Sequence, residues 1–252
     1  MRRIKLIIAY DGTNYCGWQI QPNGITVEAV LNQKLTQLLG EAILVIGASR
    51  TDSGVHALGN VAVFDTNHRM DGTRIAHALN TRLPDDIRII ESYEVPLDFH
   101  PRYCDTLKTY EYKIYNHSVS NPMVRLYSLF YYLKLDLEKM KKAADYLVGE
   151  HDFKSFCNAR SDVIDTVRTV TDIKIEKVGH MITITITGNG FLYNMVRIIV
   201  GTLLKVGRGA YPPEYILEIL AAKNRSMAGP TARPEGLSLL NIKYLHESFQ
   251  KE

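Results

Sequence analysis

The sequence has few cysteines, no long apolar run and little excess of either charge, and each shortage argues against a class of protein. Its three cysteines, Cys16, Cys104 and Cys157, are dispersed through 252 residues and form no C-x-x-C pair. An odd, dispersed set argues against a disulfide framework or a thiolate metal site and is typical of a reducing cytoplasm. No stretch of about 18 mainly apolar residues occurs, so no membrane helix is predicted. We therefore expect a cytoplasmic protein that does not bind a membrane.

Charge and composition are those of an ordinary globular protein. Lys and Arg total 30 against 27 for Asp and Glu, and hydrophobic residues make up 46% of the chain. This composition excludes disordered and collagen-like chains, and the length suggests one large domain or two small ones. A net charge of +3 is too small to demonstrate nucleic-acid binding, because composition does not reveal a charged patch.

Several common catalytic and cofactor motifs are also missing. The sequence contains no G-x-G-x-x-G, no G-x-x-x-x-G-K-[ST], no H-E-x-x-H and no G-x-S-x-G. These are the signatures of dinucleotide sites, phosphate loops, zinc proteases and serine hydrolases respectively. His56, His77 and His100 show no metal-ligand spacing, so no metal site is expected.

The order of predicted elements favours an α/β (α+β) fold built from two similar halves. Residues 1–104 predict strands at 4–10, 43–46, 60–64 and 87–95, with helices after Thr26 and at 73–79 and a loop at 49–59. Residues 105–252 loosely repeat this order, with strands at 107–115, 170–175, 181–187 and 237–244. Their helices are predicted after Asp136, near 193–206, and from Pro212 to 222. Two ferredoxin-like or RRM-like halves, each with a mainly antiparallel sheet and helices on one face, would create a central cleft suited to RNA.

The most conspicuous candidate for chemistry is Asp52, in the segment 47–57. A carboxylate lies there among small residues, between two predicted strands, and Arg50 precedes it by two positions. Glycines permit tight turns and close approach by a ligand, and such an aspartate serves as a nucleophile, a general base or a metal ligand. The structural alternative is an Asx-turn with a nearby salt bridge. Spacing alone leaves both open.

Two further candidates lie in the second half. Arg197 occurs in a helix that is apolar nearly all round, so its guanidinium requires a partner, which is either a structural carboxylate or one that performs chemistry. Tyr110 shares one face of a predicted strand with Tyr112 and Ile114. A tyrosine on an open sheet face stacks on a nucleobase, although tyrosines more often pack a core.

These segments together resemble the TruA family of tRNA pseudouridine synthases. The resemblance spans nearly the whole chain and includes motifs in the family's order. They are Tyr10-Asp11-Gly12-Thr13-Asn14-Tyr15-Cys16-Gly17-Trp18-Gln19, Arg50-Thr51-Asp52-x-Gly54-Val55-His56-Ala57, Asn80-x-x-Leu83-Pro84, Phe99-His100-x-Arg102, Lys108-x-Tyr110-x-Tyr112, Gly149-x-His151-Asp152-Phe153, Phe191-Leu192-x-x-Met195-Val196-Arg197 and Gly236-Leu237. One departure is Ser49, where many members carry glycine.

The resemblance implies a function and a role for each candidate. Members isomerise uridine to pseudouridine at positions 38, 39 and 40 in the anticodon stem-loop of tRNA, use no metal or organic cofactor, and work as homodimers. Asp52 matches the catalytic aspartate, and Arg197 matches the arginine that pairs with it. Tyr110 matches a tyrosine that lies against the target base. Arg50 matches an arginine that helps to occupy the space left by the displaced base.

Three alternatives stay open. The chain is a pseudouridine synthase with a different RNA target, a non-catalytic RNA-binding protein on the same fold, or an unrelated hydrolase with an aspartate nucleophile. An intact set of Asp52, Tyr110 and Arg197 disfavours the binder. The missing metal and phosphate-loop motifs disfavour the hydrolase.

Overall fold

A computed structural model describes residues 1–158 and 163–245 of the chain. These residues form two compact units. The first comprises residues 1–106 and 238–245, and the second comprises the described residues between 107 and 237. The sequence predicts a single boundary, between residues 104 and 105. The structure differs at the end of the chain, because the closing strand returns to the first unit.

The first unit begins with the predicted β-α-β-β-α-β order. Its elements are β1 (Arg2–Tyr10), α1 (Val27–Leu39), β2 (Ile46–Gly47), β3 (His56–Thr66), α2 (Gly72–Asn80) and β4 (Ile87–Val95). β1 lies between β3 and β4 and is antiparallel to both, and β2 is antiparallel to β3. α2 packs on β4, and the side chains of Ile4, Leu6 and Ile8 on β1 are fully buried.

Local signals set both ends of α1 as predicted. The side chain of Thr26 accepts a hydrogen bond from the Ala29 amide, which satisfies one of the amides left free at a helix start. Gly40 ends the helix with a φ of 71°, a left-handed conformation that glycine adopts without a Cβ penalty. Buried residues recur every fourth position, so one stripe of the helix packs into the unit's core.

The second unit contains five strands and three α-helices among its described residues. They are β5 (Thr106–Asn116), β6 (Leu129–Tyr131), α3 (Leu137–Asp145), β7 (Gly149–Asp152), β8 (Val167–Val178), β9 (Met181–Gly188), α4 (Met195–Gly207) and α5 (Tyr215–Ala222). The order β5-β9-β8-β7 is antiparallel throughout, and β6 runs parallel to β5. The predicted mainly antiparallel α+β fold is confirmed. β6 and β7 were not predicted because three or four residues are too few to show a period.

The closing strand, β10 (Leu237–Tyr244), pairs with β3 of the first unit in parallel register, Ser238 opposite His56 and Leu239 opposite Ala57. A Cβ at Gly59 of β3 would lie 2.6 Å from the carbonyl oxygen of Leu240. Glycine therefore allows the backbone of the closing strand to approach closely.

Two strand boundaries in the first unit differ from the sequence prediction. The predicted strand at 43–46 is reduced to β2, because side chains of α1 take the amides that a ladder would use. Asn32 accepts from the Val45 amide at 2.8 Å, and Thr36 accepts from the Ile43 amide at 3.0 Å. The predicted loop at 49–59 ends at residue 55, since Gly59 marks close backbone packing inside β3 rather than a turn.

Across residues 1–158 and 163–245, none of the helices combines the length and the apolar character that crossing a membrane requires.

Candidate active site

The candidate site of the first unit is the loop between β2 and β3, residues 48–55, here called the Asp52 loop. Its polar side chains alternate in exposure. Ser49 and Thr51 are buried, whereas Arg50 is exposed and Asp52 is partly exposed. The loop thus anchors itself through small polar groups and presents a guanidinium and a carboxylate within three residues.

A buried hydrogen-bond network, here called the loop network, joins the Asp52 loop to β1 and β3. The hydroxyls of Tyr10 on β1 and Thr51 share a hydrogen bond of 2.6 Å. The Asn60 amide nitrogen on β3 donates to the Tyr10 hydroxyl at 3.3 Å and to the Ser49 carbonyl at 3.1 Å. Asn60 has no exposed surface, and its side-chain oxygen accepts from the Val61 amide at 2.9 Å. Every polar group of the Asn60 side chain is therefore engaged.

The segment after β1 supports the loop from a second side. The Trp18 amide donates to the Thr51 carbonyl at 3.0 Å, and the Gly54 amide donates to the Tyr15 carbonyl at 3.3 Å. Gly17 has a φ of 85°, and a Cβ there would lie 2.6 Å from the Thr51 carbonyl oxygen. Only glycine fits this position without moving the backbone immediately before Asp52.

Arg102 reaches the entrance of the loop from a distant part of the first unit. Its Nε donates to the Gly47 carbonyl at 2.7 Å. The pKa of the Arg102 guanidinium is lowered, mainly by burial and then by the positive charge of Arg50. Two guanidinium groups near one loop favour the approach of an anion such as a phosphate. The sequence predicts no role for Arg102, although it belongs to the Phe99-His100-x-Arg102 motif.

Tyr110 lies in the second unit, on β5. It is only 8% exposed, and its ring meets the Phe191 ring edge to face at a centroid distance of 5.2 Å. Tyr112 and Ile114 are also buried while the residues between them are less so, which confirms that the three share a face. The Tyr112 hydroxyl donates to the Arg233 carbonyl at 2.7 Å, and burial raises its pKa.

Arg197 lies in the first turn of α4, a helix whose side chains are mostly buried, as predicted. Its Nε donates to the Ala232 carbonyl at 2.7 Å, and its Nη1 donates to the Asn194 side-chain oxygen at 3.0 Å. The Ala232 amide in turn donates to the Arg197 carbonyl at 3.0 Å. These contacts orient the guanidinium within the second unit.

The described residues contain no group of three or more histidine, cysteine, aspartate or glutamate side chains arranged to hold a metal ion. Cys16, Cys104 and Cys157 are all free thiols.

The mainly antiparallel strands and the helices make the chain an α+β protein. Its candidate active site is the Asp52 loop, which carries a carboxylate and a guanidinium. A family model described as tRNA pseudouridine synthase matches residues 6–104 and 143–245. Those spans include Arg50, Asp52 and Arg197, whereas Tyr110 lies between them.

Full-length relatives match as well. The chain is 48% identical over 244 residues to tRNA pseudouridine synthase A of Acetivibrio thermocellus, 47% identical to that of a Thermoanaerobacter species and 45% identical to that of Brevibacillus brevis. Each match covers 97% of this chain and 100% of the relative. The chain belongs to the tRNA pseudouridine synthase family.

Proposed function

We propose that this protein isomerises uridine to pseudouridine in tRNA, with Asp52 as the catalytic residue. The observation that carries the proposal is that the family match extends over both units and includes the anchored Asp52 loop. A protein that only binds RNA has no need of a carboxylate held this firmly, since a negative charge opposes phosphate binding.

The reaction requires no net oxidation or hydrolysis. The bond between N1 and C1′ breaks, the uracil turns, and a bond between C5 and C1′ forms. The C5 proton then leaves while N1 gains one, so substrate and product have the same composition. The Asp52 carboxylate either attacks C1′ or removes the 2′ proton to give a glycal, and both routes start from the same charged group. The proposal therefore includes no metal or organic cofactor.

The other candidates have supporting roles in this proposal. Arg197 is the cation that keeps the catalytic carboxylate ionised, and Tyr110 lies against the target base and takes part in proton transfer. Arg50 occupies the space left when the uridine leaves the stack. Flipping a base out costs a few kcal/mol, which stacking and phosphate contacts offset. Arg102, beside Gly47, adds a second guanidinium for a phosphate.

Release of tritium tests the reaction directly. Transfer RNA carrying tritium at C5 of uridine should lose it to water on incubation with the protein, because C5 becomes the glycosidic carbon. Transfer RNA labelled at C5 of cytidine is the matched control and should lose none. A non-catalytic binder or a hydrolase would release tritium from neither RNA, and that result would refute the proposal.

The target nucleotides and the oligomeric state of the protein are proposed as well. We propose positions 38, 39 and 40 of the anticodon stem-loop as the target, and a cytoplasmic homodimer as the active form. Pseudouridine mapping of total RNA should then show loss at these positions in cells that lack the gene. Loss at another RNA position would instead favour a synthase with a different target. Light scattering should give twice the mass of the chain, and a single mass would contradict the dimer.

A further inference from the structure

The loop network consists of polar side chains that are buried. Two hydroxyls and one amide lie at buried positions that apolar side chains could fill instead. They belong to Tyr10, Thr51 and Asn60. Replacing buried hydrogen-bonded groups with apolar groups of the same shape is often nearly neutral for stability. The network therefore needs a reason beyond stability.

The network contacts the Asp52 loop on both sides of Arg50. Asn60 binds the carbonyl of Ser49, which precedes Arg50, and Tyr10 binds the hydroxyl of Thr51, which follows it. Thr51 is also the residue directly before Asp52. The hydrogen bonds thus restrict the backbone and the side chain at the two positions that determine where Arg50 and Asp52 point. A fully satisfied buried network selects one arrangement of the groups it joins.

We propose that the loop network acts in the chemical step, and that Tyr10, Thr51 and Asn60 are positioning residues that aim Asp52 and Arg50 at the flipped uridine. This inference rests on the proposed function. The three residues do not touch the reacting atoms in this account. They act through the loop: Tyr10 on β1 and Asn60 on β3 fix its geometry, and Thr51 is the loop residue that Tyr10 binds.

Two substitutions each remove one hydroxyl and keep the shape of the side chain, namely Tyr10→Phe and Thr51→Val. A displacement of about 1 Å at a reacting group costs on the order of 100-fold in rate. We expect kcat to fall about 10- to 100-fold in each variant, with KM for tRNA changed less than about twofold. Thr51→Ser keeps the hydroxyl and should retain most of the activity.

The double variant gives a sharper result, because both substitutions break the same hydrogen bond. Its kcat should be close to that of the worse single variant, rather than the product of the two losses. A merely structural role predicts a different outcome, in which activity follows the fraction of folded protein and Thr51→Ser behaves no better than Thr51→Val.

Ser92→Ala is the matched control. Ser92 is a buried residue of β4 in the same unit, and its hydroxyl donates to the Gly72 carbonyl and accepts from the Ala76 amide. Its loss should lower the melting temperature and leave kcat unchanged. Unchanged kcat in folded Tyr10→Phe and Thr51→Val, with active wild-type protein, would overturn the positioning role. Inactive wild-type protein on tRNA would instead refute the proposed function, so the two failures are distinguishable.

Discussion

At the scale of single residues, the guanidinium of Arg197 is held at two points rather than one. Its Nε and Nη1 donate to the Ala232 carbonyl and to the Asn194 side chain. Lysine keeps the charge but cannot reproduce a planar two-point donor. We expect Arg197→Lys to reduce kcat more than tenfold while lowering the free energy of unfolding by about 1–2 kcal/mol. The control is Arg233→Lys, whose side chain is exposed and pairs with Glu235. Equal activity losses in the two variants would contradict this account.

Asp65 is a second residue whose role depends on charge. Its carboxylate accepts two hydrogen bonds from Arg3, at 2.7 and 2.8 Å, and Arg3 also donates to the Phe99 carbonyl, three residues before Arg102. The hydrogen bond from Arg3 lowers the pKa of Asp65. A lowered folded-state pKa means that the stabilisation is present above the unfolded pKa of about 3.9 and is lost as pH falls through the folded value.

Asp65→Asn should therefore destabilise the protein at pH 7 by about 1 kcal/mol, since the pair is partly exposed. The difference from the wild type should close as the pH falls through the lowered pKa of Asp65. Urea unfolding at a series of pH values measures both. Glu94→Gln, which removes the more exposed pair with Arg2, should have a smaller effect. A difference that is constant with pH would show that the carboxylate charge is not responsible.

At the scale of elements, two glycines with similar φ angles distinguish the cost of a left-handed backbone from the cost of a steric clash. Gly17 and Gly40 have φ of 85° and 71°, so alanine is strained at both. A Cβ at Gly17 would also press on the Thr51 carbonyl, whereas a Cβ at Gly40 would meet nothing within 4 Å. Both Gly→Ala variants should lose about 1–3 kcal/mol of stability. Only Gly17→Ala should also lower kcat, because only it displaces the Asp52 loop. Equal kcat values for the two variants would contradict that link.

Local sequence signals determine where an element begins and ends. Thr26 and Gly40 define α1 through capping chemistry, and the strand predicted at 237–244 has the bounds of β10. Strand partners are not local: nothing in the residues of β10 indicates that it pairs with β3. The strand at 43–46 was overestimated because its amides bind side chains of α1 instead.

The candidate site was likewise predicted only in part. The composition around Asp52 predicted a loop between strands that carries a carboxylate and a guanidinium, and the structure has that loop. The contacts that fix it were not predictable from periodicity, because Arg102 reaches Gly47 across 55 residues and Tyr10 reaches Thr51 across 41. Arg102 was visible only as a member of a motif, Tyr10 only as the end of a strand and the start of a motif, and Asn60 only as the start of a strand.

At the scale of the whole molecule, the proposal requires contact with a polyanion. Each phosphate that the protein neutralises releases counterions, so affinity should fall as salt rises, with a slope set by the number of contacts. Titrations of tRNA at several salt concentrations measure this slope. The excess of Lys and Arg over Asp and Glu is only three, so binding must come from local groups such as Arg50 and Arg102. Affinity that stays constant across a several-fold salt range would contradict the proposed substrate.

The most direct test of the account is a comparison of binding and turnover in Asp52→Asn. The substitution keeps the size of the side chain and removes its charge, while the phosphate-binding groups remain. Binding of tRNA should stay within about 1–2 kcal/mol of the wild type, because phosphate contacts dominate affinity. Pseudouridine formation should be abolished, whereas Asp85→Asn, at a fully exposed aspartate of the same unit, should retain it. Measurable pseudouridine formation by purified Asp52→Asn, after mass spectrometry has excluded deamidation back to aspartate, would contradict Asp52 as the catalyst.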